Sequence, residues 1–251
     1  MAVPPERLLI LGGTTEAAQL ARAVHAELAD RFTVITSLAG RLPPRQTPPG
    51  RLRIGGFGGA EGLGRFLSAE GISVVIDATH PFASTISQNA ATACSAAGIP
   101  RILLVRPPWQ QEPGDRWLPV DSLDAAARLL PALARRAFLT TGPGGINAFA
   151  ALAEVWFLVR LFTPAAAPLP LAQHAVIVAR PPFTLAGERA LIETHRIDAM
   201  VTKQSGGPTD AKLQAARQAA IPVIMIQRPT PPAGAQVPTV EAALAWLGGR
   251  A

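Results

Sequence analysis

The feature that most restricts this chain is a strand–helix order that occurs twice at nearly fixed spacing. In the first half, short apolar runs at 8–11, 33–36, 52–54, 74–76 and 102–105 alternate with helix-like stretches at 16–29, 62–70, 85–97 and 123–134. Short runs, apolar almost throughout and bounded by Gly, Pro or polar residues, suit parallel strands covered on both faces. Alternation with helices winds such strands into one parallel sheet. The second half repeats the order: 137–140 answers 8–11 at an offset of 129, and 199–202 answers 74–77 at 125. The runs 157–160 and 175–178 fall where 33–36 and 52–54 do. The closest match is Ile99-Pro100 to Arg106-Pro107 against Ile221-Pro222 to Arg228-Pro229, offset 122. Each half closes on a capped helix, Ser122-Leu123-Asp124 and Thr239-Val240-Glu241. At about 150 residues per domain, 251 residues leave one large or two small domains open, and the repeat decides for two. The expected fold class is α/β: two tandem Rossmann-like or flavodoxin-like parallel-sheet domains facing a shared cleft. The expected boundaries are 1–134 and 135–251, with the alternative that the helices near 121–134 and 239–248 are exchanged between the halves.

Composition removes several function classes. Hydrophobic residues are 49% of the chain, enough for buried cores and against general disorder. No apolar run approaches the roughly 18 residues of a membrane span, and the N-terminal segment does not read as a signal peptide. Cys94 is the single cysteine and no Cys/His cluster has metal-ligand spacing, so neither an intramolecular disulfide nor a zinc site is expected. Within an alanine-rich helix, Cys94 reads as buried and inert. These features suit a cytoplasmic, reducing compartment and are compatible with a monomer. The net charge of +6 is scattered, and aromatics at 5% are too few for a base-stacking platform. A pocket for a small anion fits better than nucleic acid.

In parallel α/β sheets ligands bind at the carboxyl ends of the strands, so functional residues belong just after each run. The first run opens into Gly12-Gly13-Thr14-Thr15, a glycine pair before a helix that lets backbone approach a phosphate. Glycine also ends strands in any fold, and the full G-x-G-x-x-G fingerprint is absent. The second run ends in Ser37, followed by Gly40 and Arg41. An NAD site usually carries an acid here to grip the ribose 2′-hydroxyl; a serine and an arginine suit a 2′-phosphate and favour NADP. The third opens into Gly55-Gly56-Phe57-Gly58-Gly59, where Phe57 reads as an exposed ring placed to stack on a planar ligand. The fourth is followed by Asp77-Ala78-Thr79-His80-Pro81-Phe82; His80, at a strand end, stands out over His25, His174 and His195. In the second half, Thr141 and Gly142, Arg160, then Lys203, Ser205, Gly206 and Gly207, with Lys212 on the next helix, read as an anion-binding surface for carboxylates. Neither a G-x-S-x-G elbow nor a phosphate-binding G-x-x-x-x-G-K loop is present.

Taken in order, Gly12–Glu16, Ala39-Gly40-Arg41, Gly56–Gly59, Asp77-Ala78-Thr79-His80-Pro81-Phe82-Ala83, Arg106-Pro107-Pro108-Trp109, Thr141-Gly142 and Lys203–Gly207 resemble the precorrin-6A reductase family over nearly the whole chain. The 77–83 segment carries the specific part of the resemblance; the glycine loops are generic. The family includes enzymes acting on cobalt-containing precorrin-6A, and the motifs do not separate the two substrates. The resemblance implies an NADPH-dependent oxidoreductase of cobalamin biosynthesis. It would reduce one double bond of precorrin-6A, an anionic tetrapyrrole, to give precorrin-6B. It implies cofactor binding by Gly12, Gly13, Thr14, Thr15, Ser37, Gly40, Arg41, Gly56, Phe57, Gly58 and residues 77–82. Trp109, Thr141, Gly142, Arg160, Lys203, Ser205, Gly206, Gly207 and Lys212 would bind substrate, and His80 is the candidate proton donor. Two other classes compete on the residues alone. A nucleotide-sugar transferase would need an acid gripping the donor ribose, and a non-catalytic NADP(H) sensor would lack the second anion surface.

Overall fold

The computed structural model describes residues 4–40 and 46–250. In chain order the first half contains β1 (Glu6–Leu11), α1 (Thr15–Glu27), β2 (Phe32–Leu38), β3 (Arg51–Ile54), α2 (Gly59–Ala69), β4 (Val74–Asp77), α3 (Ser84–Ala97) and β5 (Arg101–Leu104). It continues with β6 (Trp117–Val120), α4 (Leu123–Leu129), β7 (Arg136–Leu139), β8 (Trp156–Leu161), β9 (Gln173–Val178) and α5 (Leu185–Thr194). The last elements are β10 (Ala199–Lys203), α6 (Ala211–Gln218), β11 (Val223–Ile226), β12 (Ala235–Val237) and α7 (Val240–Gly248). Among the described residues no helix is long and apolar enough to cross a membrane.

The strands form two six-stranded sheets, ordered β12-β5-β4-β1-β2-β3 and β6-β11-β10-β7-β8-β9, and every pairing is parallel. Read from the far edge, the first is the doubly wound order 3-2-1-4-5-6 of dinucleotide-binding sheets, and the second repeats it. The sixth strand of each comes from an unexpected place. β12 pairs with β5, and β6 pairs with β11. One compact unit therefore runs to Pro107 and resumes at Pro229, while the other is Pro108–Arg228. The division falls at 107/108 and 228/229 instead of 134/135, and places each closing helix with the other half, the arrangement expected as the alternative. After β5 the chain leaves its own sheet, and after β11 it returns. β6 and α4 thus belong to the second unit and β12 and α7 to the first.

The sequence reading identified neither β6 nor β12. β6 carries Pro119, which lacks the N–H that a central strand needs; it is accommodated at the sheet edge, opposite Met225. β12 is three residues long and mostly exposed. The two closing helices are capped as expected. Ser122 Oγ accepts the Ala125 N–H at 3.0 Å and Thr239 Oγ1 the Ala242 N–H at 3.2 Å.

Period-two alternation distributes the strands of the first unit between two cores. Leu8, Ile10, Val74 and Ile76 pack with α1 and α7 through Leu20, Val24 and Leu247. Leu9, Leu11 and Val75 pack on the other face against α2 and α3 through Leu63, Leu67 and Cys94. Burial pushes the Cys94 thiol up to about 11, so it is a neutral packing group at physiological pH. In the second unit Phe138, Leu158, Met200 and Met225 pack with Ile192 and Leu213 of α5 and α6.

The two halves differ at one crossover. β1 leads into the 13-residue α1. β7 leads instead into two short 3₁₀ turns, Pro143–Gly145 and Asn147–Phe149.

Entry into α2 depends on Gly62. A Cβ there would lie 1.8 Å from the Phe57 carbonyl oxygen and 2.9 Å from its carbon. Gly62→Ala is expected to destabilise the first unit by about 1–3 kcal/mol, the usual cost of overpacking. Urea unfolding checks this, and an unchanged midpoint would show that the turn yields freely.

Candidate active site

A doubly wound sheet opens a crevice between its first and fourth strands, where successive connections leave toward opposite faces. In the first unit β1 and β4 are these neighbours, and the loops after them are joined. Ala78 N–H donates to Leu11 O at 2.9 Å. Thr14 Oγ1 donates to Ala78 O at 2.7 Å while accepting the Ala17 N–H at 3.1 Å, which caps α1. Gly12–Thr15 and residues 77–82 thus meet at one crevice.

Their chemistry differs along the loop. Gly12 N–H is already donated to Ser37 O at 2.9 Å, and a Cβ on Gly12 would press within 3.2 Å of Leu38. Gly12 therefore serves strand–helix packing and is not a phosphate donor. Gly13 is exposed, has φ +110°, and faces open space within 4 Å of where a Cβ would stand. Among the described residues no neighbouring group blocks approach to its backbone. With Ala17 and Ala18 N–H bonded to Thr14, the N–H groups of Thr15 and Glu16 are the first-turn donors without an intrahelical acceptor. Glu16 would oppose an anion there, and its carboxylate is paired with Arg106 Nη1 at 2.9 Å.

After β4, Asp77 is 3% exposed. Its Oδ1 accepts from Thr79 N–H at 3.2 Å and Thr79 Oγ1 at 2.7 Å; its Oδ2 is buried with no partner among the described residues. Thr79 Oγ1 also lies 3.2 Å from Ser87 Oγ. His80 Nδ1 accepts the Phe82 N–H at 3.2 Å. The rings of His80 and Phe82 are 5.9 Å apart.

The glycine loop after β3 corrects one expectation. Phe57 is half-buried rather than exposed. It packs edge-to-face on Phe66 at 5.2 Å, and the Arg53 guanidinium lies 3.8 Å above its ring. Gly56 is exposed and gives its carbonyl to Arg53, and Gly58 caps α2 in the left-handed region. Arg53, unnoticed in the sequence, stands on β3 beside the buried Ser37, with Nη1 3.3 Å from Ser37 Oγ. Gly40, beyond the end of β2, is exposed; Arg41 lies outside the described residues.

In the second unit the corresponding neighbours are β7 and β10. Thr140 N–H and Oγ1 both donate to Val201 O, at 3.0 and 3.2 Å, so Thr141-Gly142 and the 203–207 loop meet as their counterparts do. Thr141 is 5% exposed and its Oγ1 has no partner among the described residues. Gly142 has φ +78°. Lys203 is half-buried; Ser205 and Gly206 are buried and Gly207 half-buried.

Two cations of the expected anion surface, Arg160 and Lys212, are buried. Arg160, with its side chain 3% exposed, forms a double ion pair with Glu188: Nη1 to Oε1, and Nη2 to Oε2 at 2.9 Å. Its guanidinium lies between the rings of Phe138 and Phe183, at 4.8 and 4.0 Å. Lys212 is 7% exposed; Nζ donates to Thr209 O at 3.3 Å and lies 4.6 Å over Trp109. Trp109 is held by Gln204, whose amide both donates to and accepts from its backbone at 3.0 Å, and by an indole N–H to Gly207 O at 2.8 Å. Residue type suggested ligand contact for these side chains. Within the unit Arg160 is met by Glu188, Lys212 by Thr209, and Trp109 by Gln204 and Gly207.

A cavity of about 280 Å³ lies between α5 and α6, lined by Ile192 and Ala215 among others and away from the strand ends. Among the described residues no group of three or more His, Cys, Asp or Glu side chains could hold a metal.

Comparison with known proteins adds the family. A model described as "Precorrin-6x reductase CbiJ/CobK" matches residues 7–248. The chain is 49% identical to a precorrin-6A reductase of Rhodococcus erythropolis, covering 96% of this chain and 97% of that one. It is 31% identical to a cobalt-precorrin-6A reductase of Priestia megaterium, covering 88% and 90%. Among solved structures, a CobK precorrin-6A reductase superposes with a TM-score of 0.90 at 42% identity, covering 97% of this chain and 96% of that one.

The buried pair gives a direct test of Arg160. Glu188→Gln leaves a buried guanidinium uncompensated and is expected to cost about 3–5 kcal/mol in urea unfolding. Arg160→Met with Glu188→Leu is expected to recover most of that loss and leave substrate affinity unchanged. Weakened substrate binding by a stable double variant would return Arg160 to the ligand site.

Proposed function

The chain belongs to the precorrin-6x reductase family, and from that premise we propose that it catalyses NADPH-dependent reduction of one double bond of precorrin-6A, giving precorrin-6B in cobalamin biosynthesis. The metal-free substrate is favoured over its cobalt complex by the higher identity to the relative named for precorrin-6A.

The first unit holds the cofactor in this reading. The observation that carries it is the asymmetric first crossover: a capped helix follows β1, whereas only 3₁₀ turns follow β7. A helix N-terminus behind an open glycine turn suits a pyrophosphate. Three features of this chain fit the group: the open space at Gly13, the first-turn N–H groups of α1, and the buried orphan oxygen of Asp77. Gly13, Thr14 and Thr15 would hold the pyrophosphate, with Gly12 packing the strand to the helix. Ser37 and Arg41 would hold the 2′-phosphate, Gly40 and the 56–58 loop the adenosine end, and residues 77–82 the nicotinamide ribose and ring. Arg106 keeps the Glu16 carboxylate compensated beside this site.

Bound NADPH supplies the hydride, and a proton is added separately to complete the reduction. Alignment matters more than acid catalysis, because the conjugated macrocycle accepts the electron pair readily. If His80 delivers the proton, it does so from Nε2, because Nδ1 already accepts the Phe82 N–H. The second unit binds the macrocycle through Thr141, Gly142, Lys203, Ser205, Gly206 and Gly207, with Trp109 and Lys212 bracing that loop.

The deciding measurement is absorbance at 340 nm after mixing enzyme, NADPH and precorrin-6A. Substrate-dependent loss of NADPH is expected; NADPH binding without turnover would favour the sensor reading. Arg41→Ala is expected to raise KM for NADPH about tenfold or more, the worth of one charge-assisted bond, and to change KM for NADH far less. Equal effects on both would remove Arg41 from the 2′-phosphate site.

A further inference from the structure

Resting on the dinucleotide reading of the first unit, we propose that Arg53 selects NADPH over NADH, its guanidinium meeting the 2′-phosphate together with the Ser37 hydroxyl. In sheets of this order the ribose 2′ position is read near the end of the second strand, about 20 residues past the glycine turn. Ser37 stands there, and Arg53 of β3 is its partner in the parallel ladder. Where NAD enzymes carry an acid, this unit carries a hydroxyl and a cation 3.3 Å apart.

The guanidinium is held in place before any ligand arrives. Nη1 donates to Gly55 O at 2.6 Å and Nη2 to Gly56 O at 2.7 Å. Phe57 covers one face at 3.8 Å, and Phe66 lies 5.2 Å away. With Ser37 these bonds use three of the five N–H groups of an arginine. Holding the side chain this way removes rotamer entropy that binding would otherwise cost.

Its charge is unanswered within the unit. Arg51, two residues earlier on β3, has a carboxylate on both nitrogens: Glu70 at 2.7 and 2.6 Å. Arg53 has none within 4.0 Å among the described residues. Partial burial pulls its guanidinium below the usual arginine range, with no ion pair opposing the shift. A fixed, partly desolvated cation beside a serine is matched more strongly by a phosphate dianion than by a neutral ribose hydroxyl.

The test is equilibrium binding by calorimetry, without precorrin-6A. The probes are NADPH, NADH, adenosine 2′,5′-bisphosphate and 5′-AMP. Wild-type protein is expected to prefer the bisphosphate over 5′-AMP. Arg53→Gln is expected to weaken NADPH and bisphosphate binding at least about tenfold, the worth of a charge-assisted bond, with NADH and 5′-AMP nearly unchanged. A second variant, Ser37→Asp, keeps Arg53 and supplies it an internal carboxylate. It is expected to lower NADPH affinity and raise NADH affinity, with a melting temperature at or above wild type. If Arg53→Gln fails to fold, Arg53→Lys takes its place: losing the fixed fork while keeping the charge, it is expected to weaken NADPH and bisphosphate binding more than NADH and 5′-AMP binding, and equal effects overturn the assignment. An unchanged NADPH-to-NADH ratio in Ser37→Asp, or equal loss for both in a folded Arg53→Gln, overturns the assignment. Wild-type protein that binds neither dinucleotide would instead overturn the cofactor reading on which it rests.

Discussion

Every ladder in both sheets is parallel, and a parallel pair cannot be closed by a hairpin. Each strand must be followed by a connection that crosses back over a sheet face. That requirement gathers the strand ends that can meet a ligand along one edge. It parts the connections after β1 and β4, and after β7 and β10, so that a crevice opens between each pair. It also leaves the fifth strand of each sheet with an open edge. A segment that runs parallel and in register can fill that edge. β6 and β12 do so from the other side of the chain crossing, with three or four residues each. Edge strands tolerate Pro119 and the exposed residues of β12 because only one side of each is paired.

Net charge says little about where a chain of this kind meets an anion; the partners of each cation say more. Arg217 is taken by Asp115 and Glu112, Arg51 by Glu70, Arg106 by Glu16 and Arg160 by Glu188. The exposed pairs contribute little stability. The Arg160 pair matters through the cost of breaking it, since either partner alone would be a buried charge. Glu70 illustrates the pH consequence. Its neighbours Arg51 and Arg7 hold its carboxyl below the usual range. The small stabilisation it gives is therefore present above that range and lost as pH falls through the lowered folded value.

The central strands were legible because burial on both faces makes them continuous apolar runs, as in Leu8–Leu11 and Val223–Ile226. The crevice loops were legible because strand ends at 12–15, 77–82, 141–142 and 203–207 follow from the strands themselves. What stayed hidden depends on long-range pairing. The carboxylate that consumes Arg160 is 28 residues away and the amide that fixes Trp109 is 95 away. The exchanged strands were hidden because a repeat gives the order of elements without saying which copy completes which sheet. Arg53 left a signal that could have been read. Arg51 and Arg53 alternate with Leu52 and Ile54 in the third strand, next to Ser37 at the end of the second, and a cation at that place in a doubly wound sheet is worth testing against a 2′-phosphate.

The two sheets share one strand order, and two differences between the units bear on what each crevice can bind. A doubly wound unit grips a dinucleotide at two places, the helix after its first strand and the end of its second. At the first place one unit has the helix α1, and the other has 3₁₀ turns too short to align a helix dipole. At the second, one unit presents Ser37 and Arg53 without a carboxylate, and the other closes its arginine on Glu188. Either change alone would weaken a dinucleotide site; together they remove both grips from the second unit while leaving its crevice at β7 and β10. In the proposed reading a ligand there meets loop backbone and side chains such as Thr141, Lys203 and Ser205, which suits a large anion with many carboxylates better than a second nucleotide.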